Sequence, residues 1–214
     1  MTASLTTFAR NLSEVVDLTI KGQLLDAEAK LRLFSSVGDG VAKTLRARHV
    51  QKNIDVPSTE RKLRMPAKAF QASVFIRDRY FCRYCNKSTV ALPVMNAIAA
   101  IYPMTYRLHP HWKATETDVS FWIDMASLDH IIPLTRGGTN ETSNLATSCW
   151  RCNELKGGSL LTEIGWTIQR PQAMDWDGLS SKLADLVAVI PDGHIRYRAW
   201  VEAFEAASMA SRVL

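Results

Sequence analysis

Within thirty residues, Asp129 to Gly158, the chain gathers side chains able to do chemistry: DHIIPLTRGGTNETSNLATSCWRCNELKGG. Adjacent Asp129 and His130 offer a carboxylate oxygen and an imidazole that can accept a proton, and Asn153 offers a second, neutral oxygen. Cys149-x-x-Cys152 matches Cys82-x-x-Cys85 upstream, and these are the only 4 cysteines. Two such pairs can supply four thiolates to one closed, tetrahedral zinc. Carboxylate and amide oxygens suit a harder divalent cation that keeps some of its own water. The pattern therefore suggests one metal for shape and a second for chemistry.

Positioning these groups takes few elements. Ser127–Ile132 is short, apolar-flanked and β-branched at its end, as in a strand; Pro133 stops it, and Arg136-Gly137-Gly138-Thr139-Asn140 is turn chemistry. Leu145–Ser148 can return as a second strand. From Cys149 a short helix carries Asn153 and Lys156 and closes at Gly157-Gly158. Upstream, a helix expected over Lys68–Arg79 turns Phe70, Val74 and Phe75 inward and feeds into Tyr80-Phe81-Cys82-Arg83-Tyr84-Cys85. The aromatics of this knuckle are expected to fill its small core. Between Cys85 and Cys149 lie 63 residues, but loop closure costs only about 0.6 kcal/mol per doubling of length. Structural zinc contributes on the order of 10 kcal/mol or more, so the gap does not forbid a shared site. Residues 88–126 read as an ordered insertion with a satellite core of Ile98, Ile101, Tyr102, Trp112, Phe121 and Trp122.

DHIIPLTRGG followed by SNLATSCWRCNELKG resembles the HNH endonuclease family, in the branch whose ββα-metal core is braced by a four-cysteine zinc. Phe70–Cys85 is similar to that family's lead-in, and the likeness spans about residues 68–165. It implies a metal-dependent endonuclease acting on DNA. In that reading His130 is the general base, and imidazole, with an unperturbed pKa of about 6.5, suits the task. Asp129 and Asn153 hold a catalytic Mg2+ or other divalent cation, Asn144 pins the loop carrying the base, and Cys82, Cys85, Cys149 and Cys152 hold structural zinc. Arg136, Lys156 and Arg83 are candidate phosphate contacts, with plain surface charge the rival for the first two. Asn153 stands where the motif often has histidine, and the insertion is a second departure.

Bulk properties agree with a polyanion partner. The chain of 214 residues has formal charge +5, yet Lys43–Lys87 holds twelve Lys/Arg against three acids, a local +9 that leaves the remainder at −4. Such a belt is the electrostatic footprint of nucleic-acid binding, with a solvated, salt-bridged helix face as the rival reading. Four paired cysteines without a secretory signal point to metal in a reducing, cytoplasmic setting. The longest nearly apolar run, Val90–Tyr102, falls short of the roughly twenty residues that span a bilayer, so no membrane role is expected.

The expected fold class is α+β: a mainly helical chain around a small ββα-metal core with a zinc knuckle. Residues 1–60 are read as a helical region and basic linker, 61–165 as the nuclease domain with its insertion, and 166–214 as a C-terminal helical region. Within these, helices are expected over the first twenty residues, from Leu24 towards Val37, over Val41–Val50, from Leu179 to Ile190, and around Tyr197–Phe204. The helical ends could support a homo-oligomer. The competing reading is a catalytically silent, zinc-stabilised nucleic-acid-binding module, or a subunit of a larger assembly. His109 and His111 are expected to pack or lie exposed rather than bind metal, and Trp150 to anchor packing.

Overall fold

The structure, a computed structural model, describes residues 5–37 and 66–211. The expected basic helix at 41–50, and most of the expected linker at 51–67, lie outside these residues.

The fold is α+β, and among the described residues helices surround one two-stranded antiparallel sheet. Helix α1 (Thr7–Ile20) begins where Thr6 caps it, its side chain accepting from the Ala9 amide. Leu12, Val15, Val16 and Thr19 form the buried stripe, the spacing expected of an amphipathic helix. Helix α2 (Leu24–Arg32) packs on α1. It ends before Phe34 and Val37, and Leu25, counted in its apolar stripe, is 83% exposed.

Helix α3 (Lys68–Arg77) buries Ala72, Val74 and Phe75 and packs along the longest described helix, α8 (Gly193–Ser211). After α3, Arg79 and Tyr80 take positive φ of 51° and 53°, reversing the chain into the cysteine knuckle. Helix α4 (Leu92–Ile101), with Pro93 at its first turn where a missing N–H costs nothing, and the short α5 (Ser120–Ile123) occupy the insertion. Strand β1 (Ala126–His130) pairs with β2 (Leu145–Cys149) in the register Ala126↔Cys149 to His130↔Leu145, and α6 (Trp150–Lys156) completes the ββα unit.

Past α6, a 3₁₀ turn covers Leu161–Ile164. The helix expected from Leu179 starts later: Leu179 has φ of 65°, a 3₁₀ turn follows at Ser180–Lys182, and only Leu183–Val187 (α7) is α-helical.

The satellite core expected for the insertion does not exist as a separate unit. Val94, Ile98, Tyr102, Tyr106 and Phe121 belong to the same buried cluster as Leu12, Phe75, Leu186 and Phe204. The insertion's ends also close on each other: the Val90 amide donates to the Asp124 carbonyl at 2.9 Å and the Ala126 amide to the Val90 carbonyl at 2.8 Å. The long stretch between the cysteine pairs is therefore short in space. Further out, Asp118 accepts from the Ser36 amide at 2.8 Å, tying the insertion to the chain beyond α2. Trp150 anchors packing through Trp122, ring centroids 4.7 Å apart. No described helix is long and apolar enough to cross a membrane.

Candidate metal centre and hydrolytic site

The four cysteines converge. Their sulfurs all lie within 4.8 Å of one another, and Cys85 Sγ is 3.9 Å from Cys149 Sγ. A tetrahedral zinc with Zn–S of about 2.3 Å demands sulfur separations of roughly 3.8 Å, so the cluster fits that ion. Its ionisation is uneven: hydrogen bonds from Cys149 and Cys152 pull the Cys82 and Cys85 thiols down, whereas contact with Cys149 and then Cys82 pushes Cys152 far up. A dication would offset the charge of four thiolates so close together. Cys149 also caps α6, its Sγ accepting from the Cys152 amide at 3.4 Å, where the helix N-terminus favours negative charge. Among the described residues no other cluster of His, Cys, Asp or Glu reaches this proximity. His109 Nδ1 accepts from the His111 amide at 3.1 Å, and His111 is exposed.

The oxygen donors lie where β1 meets α6. Side chains two apart on a strand share a face, which pairs Ser127 with Asp129; residues three apart on a helix do likewise, which pairs Asn153 with Lys156. The two faces interlock. Asn153 Nδ2 donates to Ser127 Oγ at 3.1 Å, and Lys156 Nζ sits 3.0 Å from Asp129 Oδ2. Lys156 also donates to the His130 carbonyl at 2.7 Å. Asp129 Oδ2 accepts a further bond, from the Tyr84 hydroxyl at 2.5 Å. Burial first, then the Asp129 charge, push the Tyr84 phenol well above the ordinary tyrosine range, so it stays protonated as the donor. Both contacts to Asp129 fall on Oδ2, and both Asn153 contacts use its NH2 group. The other carboxylate oxygen and the amide oxygen are the hard donors that a divalent cation would take.

His130 ends β1, half-buried. Its Nε2 lies 2.8 Å from Asn140 Oδ1; an amide oxygen can only accept, so the ring donates to it through Nε2–H. Asn144 clamps the loop between them. Its Oδ1 accepts from the Ile132 amide at 2.9 Å, and its Nδ2 donates to the carbonyls of Ile132 at 3.0 Å and Thr139 at 2.8 Å. The clamp needs glycine at 138, where a Cβ would stand 1.8 Å from the Ile132 carbonyl oxygen and 2.8 Å from Asn144 Nδ2.

The candidate phosphate contacts fare differently. Lys156 is corrected: it is 1% exposed, with its ammonium committed to Asp129 and the His130 carbonyl, so it faces inward. Arg83 Nη1 bonds Asp78 Oδ1 at 2.7 Å and its Nε the Gln169 carbonyl at 2.5 Å, a structural commitment. Arg136 pairs with Glu163. Two other described cations of the basic belt pair with carboxylates as Arg83 does: Arg77 with Asp78, and Lys87 with Asp124. Buried carboxylates, rather than solvent, hold these charges.

Two site residues carried no functional weight in the sequence. Tyr84 read as filling for the knuckle, although a buried phenol needs a partner; its place between two cysteines was the available signal. Asn140 read only as a turn residue.

A family model described as HNH endonuclease matches residues 115–159. The match takes in Asp129, His130, Asn144, Asn153 and the second cysteine pair. No curated protein and no solved structure matches the chain.

Proposed function

We propose that this chain, which carries an HNH endonuclease domain over residues 115–159, hydrolyses DNA phosphodiester bonds, with His130 as general base. The observation that carries the reading is the packing of α6 on β1, where Lys156 bonds Asp129 and the His130 carbonyl, Asn153 bonds Ser127, and Asn140 bonds the His130 ring. A divalent cation such as Mg2+, held by Asp129 and Asn153, would act as a Lewis acid stabilising negative charge on the leaving 3′ oxygen.

The chain's own groups do the rest. Asn140 fixes the His130 tautomer, so that Nδ1 can take a proton from the water attacking phosphorus. Asn144 holds the loop that aims the ring. Lys156 neutralises part of the Asp129 charge and ties that residue to the end of β1. The four cysteines, with zinc, brace a helix of 7 residues, too short to be stable alone.

A second reading has one observation in its favour. The Lys156–Asp129 ion pair is also what a silent nucleic-acid-binding module could keep. Supercoiled plasmid incubated with zinc-loaded protein and Mg2+ or Mn2+ separates the two. The endonuclease reading expects relaxation or linearisation by wild type and a loss of at least a hundredfold in His130→Ala. Cleavage that persists in His130→Ala overturns the mechanism; tight DNA binding without cleavage under either metal supports the silent module.

A further inference from the structure

One side chain connects the sulfur cluster to the oxygen site. Tyr84 lies between Cys82 and Cys85, and its ring packs in the small cluster formed by Cys82, Cys149 and Cys152 with Leu161, Trp166 and Ile168. The Trp166 ring supports it, centroid to centroid 5.6 Å. Next to it, the Arg83 amide donates to the Thr147 carbonyl of β2 at 2.8 Å, so the knuckle is fixed to the sheet on which Asp129 stands. The phenol then reaches across to Asp129 Oδ2 at 2.5 Å. Lys156 holds the same oxygen at 3.0 Å from the helix side, and Asp129 is only 8% exposed. A carboxylate gripped twice on one oxygen cannot rotate without breaking a buried hydrogen bond, which leaves its other oxygen with a fixed direction.

We propose that Tyr84 is a positioning residue through which the four-cysteine cluster sets the affinity of the hydrolytic site for its divalent cation. The inference rests on Asp129 being a cation ligand, as argued above. Loss of a hydrogen-bonding partner behind a metal ligand typically lowers metal affinity by about 10- to 100-fold. Tyr84→Phe removes one hydroxyl and keeps the ring that fills the knuckle, so the expected consequence is specific. Zinc content stays at one equivalent and the melting temperature stays close to wild type. Mn2+ affinity falls about tenfold, while turnover at saturating Mn2+ stays within about twofold.

Mn2+ binding is read on the zinc-loaded protein without DNA, by the loss of the free-ion electron paramagnetic resonance signal, with Asp129→Asn as control. DNA cleavage against Mn2+ concentration gives the second readout. Equal Mn2+ affinity in wild type and Tyr84→Phe overturns the proposal while leaving the endonuclease reading standing. A Tyr84→Phe chain that loses zinc or its fold also overturns it, because the phenol is then a structural group. Wild type that binds no Mn2+, or Asp129→Asn that binds it as well as wild type, removes the cation site itself, and this inference with it.

Discussion

An imidazole has two nitrogens, and Asn140 determines which one is available. Because its Oδ1 lies 2.8 Å from His130 Nε2, Asn140→Ala releases the ring orientation without touching Asp129 or Asn153. The expected result is a turnover about tenfold or more lower with an unchanged Mn2+ requirement, read in the plasmid assay. Gly138→Ala acts on the same loop by sterics. Its Cβ would collide with the Ile132 carbonyl at 1.8 Å, so the Asn144 clamp must open; cleavage should fall to background, and the midpoint of thermal unfolding should fall too. At this scale the spacing of Asp129, His130, Asn144 and Asn153 made them candidates, because each belongs to a local pattern. The inward turn of Lys156 and the reach of Tyr84 were not legible. A lysine near a helix C-terminus and an aromatic beside a cysteine look the same whether they face solvent or a buried carboxylate; only the packing of α6 on β1 decides.

Among the elements, α6 carries the greatest load for its length. Seven residues cannot hold themselves helical in water, so their order depends on Cys149 and Cys152 at one end and Lys156 at the other. Lys156→Met would leave Asp129 buried without its cation. Breaking one side of such a pair costs about 3–5 kcal/mol, which urea unfolding should register as a lower midpoint. Stripping zinc with a chelator should be harsher: the knuckle, β2 and α6 lose their shared anchor, and loss of helical circular dichroism should accompany loss of cleavage, both restored by zinc. The strands and α6 were readable because Pro133, the glycine turn and Gly157-Gly158 punctuate them locally. The start of α7 was not: Leu179 fits a helical apolar stripe, yet it adopts a left-handed backbone, with φ of 65°, and its amide donates to Asp177 Oδ1 at 2.9 Å. A side-chain hydrogen bond there overrides the periodicity.

Across the whole molecule, one apolar core runs through the helices, the insertion and the start of the ββα unit, and a second, smaller cluster surrounds the sulfurs. The small cluster borders β2 and α6 and reaches Asp129 through Tyr84. The α+β class and the helical character were visible in period, in local turn signals and in the resemblance of the motif. The merging of the insertion into the main core was not, since it depends on Val90, Asp124 and Ala126 meeting across more than thirty residues of chain. Charge followed the same rule. The belt read either as a polyanion-binding surface or as a salt-bridged face, and Arg77, Arg83 and Lys87 pair with Asp78 and Asp124.

The central claim, that a sulfur-held zinc and an oxygen-held cation share one small scaffold, is tested most directly by anomalous diffraction from crystals soaked in Mn2+. The account predicts a zinc-edge peak centred among Cys82, Cys85, Cys149 and Cys152, and a manganese peak against Asp129 and Asn153. A sulfur cluster joined as disulfides, or manganese bound elsewhere with Asp129 still closed on Lys156, would contradict it.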